Sequence, residues 1–114
     1  MIDQYKEGRF MIVEGKRFIQ DLKIIDGRVT GNWWRGRGHL LEASDIQDIL
    51  DTSPSILVVG TGYAGNMRLS RNLSERLADA GIEVVSKRTQ KAAEVFNRLA
   101  AEGHDVAGAF HLTC

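Results

Sequence analysis

The sequence predicts an α/β domain, a sheet covered by helices with an additional layer of antiparallel hairpins from its N-terminal third. Three observations carry this. Ile56-Leu57-Val58-Val59 is an unbroken apolar run that ends in Gly60-Thr61-Gly62-Tyr63-Ala64-Gly65, and apolar residues on both faces mark a strand covered from both sides. Beyond it, two stretches of helical periodicity alternate with two more strand-like runs, the β-α-β-α-β order whose right-handed crossovers lay helices on the faces of a sheet. Before it, the chain is strand after strand. Asp26-Gly27 is the strongest hairpin signal there, because such a pair tolerates the positive φ that a type I′ turn requires at both central positions.

Taken in order, Arg9 to Val13 and Arg17 to Ile25 read as strands joined at Glu14-Gly15-Lys16. Asp26-Gly27 then leads into a strand over Arg28 to Trp34, and the glycines of Trp34-Arg35-Gly36-Arg37-Gly38-His39-Leu40 mark a loop. Ser44-Asp45-Ile46-Gln47 matches a capping box for a short helix that must stop before Pro54. From Met67 to Gly81 the chain reads as a helix, with Leu69, Leu73, Leu77 and Ala80 on one stripe and Gly81 as its left-handed terminator. Ile82 to Ser86 is the next strand. Thr89 is placed to cap a third helix whose apolar face is Ala92, Ala93, Phe96, Leu99 and Ala100, ending at Gly103. Val106 to Leu112 is the last strand, its Ala107, Gly108 and Ala109 leaving room for a close neighbour. Leu57, Val59, Leu73, Leu77, Phe96 and Leu99 are the expected core.

The 114 residues form a single domain, 1–114, with fifteen basic and fifteen acidic side chains. A nucleic-acid binder needs a basic excess to displace counterions, so no nucleic-acid partner is expected. The one cysteine, Cys114, excludes an intramolecular disulfide and fits a reducing, cytoplasmic location. No run approaches the roughly 18–20 apolar residues of a membrane span, and the first residues lack the pattern of a signal or transit peptide.

Four constellations bear on function. Gly60-x-Gly62-x-x-Gly65 has the form of a dinucleotide fingerprint. The next strand, however, ends Val85-Ser86-Lys87-Arg88 without the acid that would hold a ribose, and too little chain follows for a second nucleotide half. Packing alone accounts for such a turn, and no cofactor is expected. If the three late strands run parallel, their carboxyl ends bring Gly60, Thr61, Gly62, Lys87, Arg88 and Thr89 to one sheet edge together with His111 to Cys114. That edge would suit an anionic small molecule, a phosphate or carboxylate held by free amides and cations; the plain reading is that Lys87 and Arg88 are solvated loop cations.

Trp33, Trp34, Arg35 and His39 form the third constellation. Strand alternation buries one of two adjacent tryptophans and leaves the other to be explained, and tryptophan with arginine is enriched at interface hot spots. With no net charge, a protein partner or self-association is the reading preferred over RNA. The fourth, His111-x-x-Cys114, lacks a cysteine partner; strand geometry sends i and i+3 to opposite faces, and His39 and His104 share no spacing with it. No metal site is expected, and His111 is read as hydrogen-bonding a neighbour. No serine–histidine–acid or paired-carboxylate arrangement stands out, so no catalytic residue is assigned.

One set of residues goes further. Val59-Gly60-Thr61-Gly62, then Thr89 and Ala92 ahead of Phe96-Asn97-Arg98-Leu99, then His111-Leu112-Thr113-Cys114, with Trp34, Arg35 and His39 upstream, resembles a small α/β family. That family holds the mitochondrial NADH:ubiquinone oxidoreductase complex assembly factor 3, the adipogenesis-associated protein of mammals, and many microbial members known as a domain of unknown function. The resemblance covers nearly the whole chain, while Tyr63 and Gly65 stand outside it. It implies a three-layer fold around a mixed sheet, a non-catalytic interaction or assembly role, and a part for Asn97.

Overall fold

The computed structural model describes all residues from Met1 to Cys114. The strands are β1 (Ile2–Lys6), β2 (Phe10–Val13), β3 (Lys16–Phe18), β4 (Leu22–Ile25), β5 (Arg28–Thr30), β6 (Leu40–Leu41), β7 (Ile56–Thr61), β8 (Arg68–Leu69), β9 (Glu83–Lys87) and β10 (Val106–His111). The helices are α1 (Gln47–Thr52), preceded by a 3₁₀ turn over Ala43–Ile46, α2 (Arg71–Asp79) and α3 (Thr89–Ala101). Five strands form the main sheet in the order β5-β4-β10-β7-β9. β10 runs parallel to β7, and β7 parallel to β9, whereas β4 lies antiparallel to β10. The sheet is therefore mixed, as expected. β1, β2 and β3 make a separate three-stranded antiparallel layer, and the Asp26-Gly27 turn has positive φ at both residues (51° and 75°).

β7 is buried along its whole length, and its alternation divides the interior. Ile56 and Val58 face one core with α3 and the β1–β3 layer, where Met11, Leu22, Phe96 and Phe110 pack. Leu57 and Val59 face the other, under α1 and α2, with Trp33, Ile46, Leu73 and Leu77. All six expected core residues are buried. Asn97 fastens α3 to the small sheet: its Oδ1 accepts from the Ile2 amide at 2.8 Å and its Nδ2 donates to the Ile2 carbonyl at 2.7 Å.

Several boundaries differ from the sequence reading, each for a tertiary reason. The run from Arg17 to Ile25 is two strands, because Ile19-Gln20-Asp21 carries the chain from the small sheet to the main one. The next strand stops at Thr30, two residues before Asn32 turns at φ 50°. α2 begins at Arg71, since Arg68 and Leu69 are drawn into a two-residue parallel pairing with β6, and Ser70 Oγ caps the helix by accepting from the Leu73 amide. Ser44 and Gln47 do not form the capping box; Asp45 does that work, accepting from the Glu42 amide at 2.8 Å.

Gly108 is required by its surroundings. A β-carbon there would overlap the Phe110 ring and stand 3.1 Å from Phe96, whose rings meet edge to face at 5.7 Å. Gly108→Ala is expected to lower unfolding free energy by about 1–3 kcal/mol through overpacking. Urea denaturation checks this, and an unchanged midpoint would show that the rings yield freely. No helix is long and apolar enough to cross a membrane.

Candidate functional site

Because β7, β9 and β10 are parallel, their carboxyl ends do share one edge. The glycine turn, the start of α3 and the tail after His111 meet there, as the sequence indicated. The edge is tied shut from within. Thr89 is the first residue of α3 and not its cap; fully buried, its hydroxyl donates to the His111 carbonyl at 2.5 Å and accepts from the Gly62 amide at 2.9 Å. The Thr89 amide donates to the Gly62 carbonyl. Thr61 Oγ1 donates to the Lys87 carbonyl. Gly62 sits at φ 102° directly beneath the Thr113 and Cys114 backbone, so the tail occupies the space a side chain would need. Gly60 is likewise required, its face pressed to Phe110 and Thr89. Lys87 and Arg88 are exposed, and Arg88 extends over Gly65.

Beside this edge lies the least ordinary chemistry of the molecule. Asp21, Arg35 and His111 form a nearly buried polar cluster at the end of β10. Asp21 Oδ2 accepts from Arg35 Nη1 at 2.7 Å and lies 2.7 Å from His111 Nδ1, while its Oδ1 accepts from the Leu112 amide at 2.8 Å. Burial would push the Asp21 carboxyl up. The hydrogen bonds from His111, Leu112 and Arg35 outweigh burial and hold it below the usual carboxylate range. Arg35 Nε and Nη2 also donate to the Gly38 carbonyl at 3.2 and 2.8 Å, closing the loop on itself. The guanidinium lies over the Trp33 ring at 4.9 Å.

The two tryptophans differ sharply in exposure, although the strand ends at Thr30 and both lie in the loop beyond it. Trp33 is 7% exposed, its indole N–H donating to the Asp45 carbonyl at 3.0 Å. Trp34 is 76% exposed. Together with Ile19, 66% exposed, it borders a cleft of about 210 Å³ whose floor is Asp21, Arg35 and His111. The Arg35 side chain, 5% exposed, holds the loop that presents Trp34. Asp21 escaped the sequence reading because its partners lie 14 and 90 residues away.

His39 stands edge-on to His111 with ring centroids 5.8 Å apart. One ligand-type atom from each of His39, His111 and Cys114 lies within 4.8 Å of the other two. Strand geometry would separate His111 from Cys114, but β10 ends at His111 and the chain turns, reaching φ 27° at Cys114.

A family model described as "Protein of unknown function (DUF498/DUF598)" matches residues 2–111. Among solved structures, a conserved hypothetical protein from Pyrococcus horikoshii superposes with a TM-score of 0.88 at 25% identity, over 100% of this chain and 99% of that one. A protein from Bordetella parapertussis is similar at 28% identity and TM-score 0.82, covering 98% and 94%. A Bordetella pertussis protein described as a Mth938-like domain shares the fold at 24% identity and TM-score 0.79, covering 98% and 85%.

Proposed function

The chain belongs to the DUF498/DUF598 family of unknown function, and from that premise we propose that it is a non-catalytic interaction module of the assembly type, docking a partner protein through the loop that carries Trp34. The observation that carries the reading is the exposure of Trp34 on a loop held rigid from beneath. Arg35, Asp21 and the Gly38 carbonyl fix the backbone on one side, and Trp33 anchors it on the other. A large side chain displayed without conformational freedom loses little entropy on binding, which is the economy of an interface hot spot. The resemblance to the family that holds a respiratory-complex assembly factor supports the same reading.

The charges nearby define the partner's chemistry. Arg37 is exposed on the Trp34 loop, while the acid of the cleft, Asp21, is already neutralised by Arg35. The partner is a protein surface with an apolar pocket for an indole, flanked by carboxylates. The glycine-turn edge gives the small-molecule alternative less support, because the Gly62 and Thr89 amides are spent on internal bonds.

Affinity capture followed by titration of the purified captured protein tests this. Trp34→Ala should weaken binding by about 2 kcal/mol or more, roughly 30-fold in Kd, and Arg37→Glu should weaken it too. Tyr63→Ala, at the glycine turn, should leave it unchanged. Equal affinity for wild type and Trp34→Ala would refute the docking surface.

A further inference from the structure

The sequence gives no metal-binding pattern, and the fold creates one. We infer that His39, His111 and Cys114 form a three-ligand site for a borderline divalent transition metal, Zn²⁺ by the chemistry of the donors, with a fourth coordination position open.

The first support is His111 itself. It is 5% exposed, and its Nε2 is a buried ring nitrogen with no hydrogen-bond partner. Buried polar atoms are nearly always satisfied, and each exception calls for a specific explanation. Nδ1 is committed, at 2.7 Å from Asp21 Oδ2. An ionised carboxylate can only accept, so Nδ1 carries the proton. With Nδ1 engaged, Nε2 is the ring atom left without a partner. A carboxylate that holds one imidazole nitrogen while the other faces an ion is the usual outer arrangement of a histidine metal ligand.

The second support is convergence. Ligand-type atoms of His39 and Cys114 join that of His111 within 4.8 Å. Donors around a tetrahedral ion with bonds of about 2.0–2.3 Å stand roughly 3.3–3.8 Å apart, so the set must contract by no more than about 1.5 Å. His39 is exposed, so its ring has room to approach. Two imidazoles and one thiolate suit zinc and related borderline ions and exclude the hard, oxygen-seeking ones.

The third support is how the ligands are held. The tail that carries Cys114 is pinned at four points: Tyr5 Oη and the Gly8 amide donate to the Leu112 carbonyl, the Leu112 amide donates to Asp21, and the Asn66 amide donates to the Cys114 carbonyl. The His39 carbonyl accepts from the Arg68 amide, at the end of the β6–β8 pairing. Asp21 is thus a positioning residue for the ligand His111, and Gly62 gives the tail its seat.

The test uses the full chain, reduced and stripped of metal by chelation. Isothermal titration with Zn²⁺ should give one equivalent bound. Co²⁺ should give the visible bands of a tetrahedral complex together with a thiolate-to-cobalt charge-transfer band. Cys114→Ser and His39→Ala alter exposed or half-buried side chains and leave the core intact; each should weaken Zn²⁺ by about 10-fold or more, and Cys114→Ser should abolish the charge-transfer band. Asp21→Asn should weaken Zn²⁺ by about 10–100-fold while keeping that band. His104→Ala, at an unrelated surface histidine, should change nothing. Absence of binding to the folded wild type, a cobalt spectrum lacking the thiolate band, or affinity that survives Cys114→Ser or His39→Ala would overturn the site.

Discussion

Asp21→Ala is expected to lower the free energy of unfolding by about 3–5 kcal/mol, the scale of removing one partner from a buried ion pair. The loss is large because one carboxylate satisfies three groups. Without it the Arg35 guanidinium is a buried cation without its counter-charge, and both His111 Nδ1 and the Leu112 amide lose their partner. Asp21→Asn keeps the shape and should cost less. The same carboxyl sets an acid limb. Its folded value lies below the ordinary 3.8, so its contribution is complete above the unfolded value and is lost as pH falls from there through the folded one. Denaturation measured across that range should therefore show a flatter pH dependence for Asp21→Ala than for wild type. Parallel curves would remove Asp21 from the cluster's energetics.

Phe110→Ala should cost a comparable amount, about 3–5 kcal/mol. Phe110 is fully buried on the middle strand of the main sheet. It loses its edge-to-face contact with Phe96 and leaves a void against Gly60 and Gly108, which have no side chains with which to fill it. In the double variant the cost of Gly108→Ala should shrink or reverse, because the added methyl enters space the ring has vacated. A loss below about 1 kcal/mol for Phe110→Ala would mean that the ring is not the keystone of that core.

What was legible in the sequence is what periodicity and turn chemistry encode. Ile56 to Val59 announced a doubly covered strand, Asp26-Gly27 its hairpin, and the Leu73–Leu77 and Phe96–Leu99 stripes their helices. The adjacent tryptophans do part company in exposure, but in the loop beyond the strand, so alternation is not the cause. The family resemblance supplied the mixed, three-layer arrangement and drew attention to Asn97. The rest depended on partners distant in the chain. Thr89 looks like a helix cap in sequence, yet its hydroxyl joins Gly62 to His111. Arg35 reads as an exposed interface cation until Asp21 arrives from the linker between two sheets. His111 and Cys114 are on opposite faces only while the strand continues, and it stops at His111.

The placement of β10 has a consequence for synthesis. This strand, made last of the ten, is the one that separates and joins β4 and β7. Until residues 106–111 leave the ribosome, those two strands have no common neighbour, and each presents an open edge. Once β7 is made, the roughly 45 residues that separate it from β10 keep both edges open for roughly 2–9 s at about 5–20 residues per second. Closure of the main sheet thus waits on β10, the last of its five strands to be made. A translational stall within α3 would leave an unfinished sheet with adhesive edges, a natural client for holding chaperones and proteases.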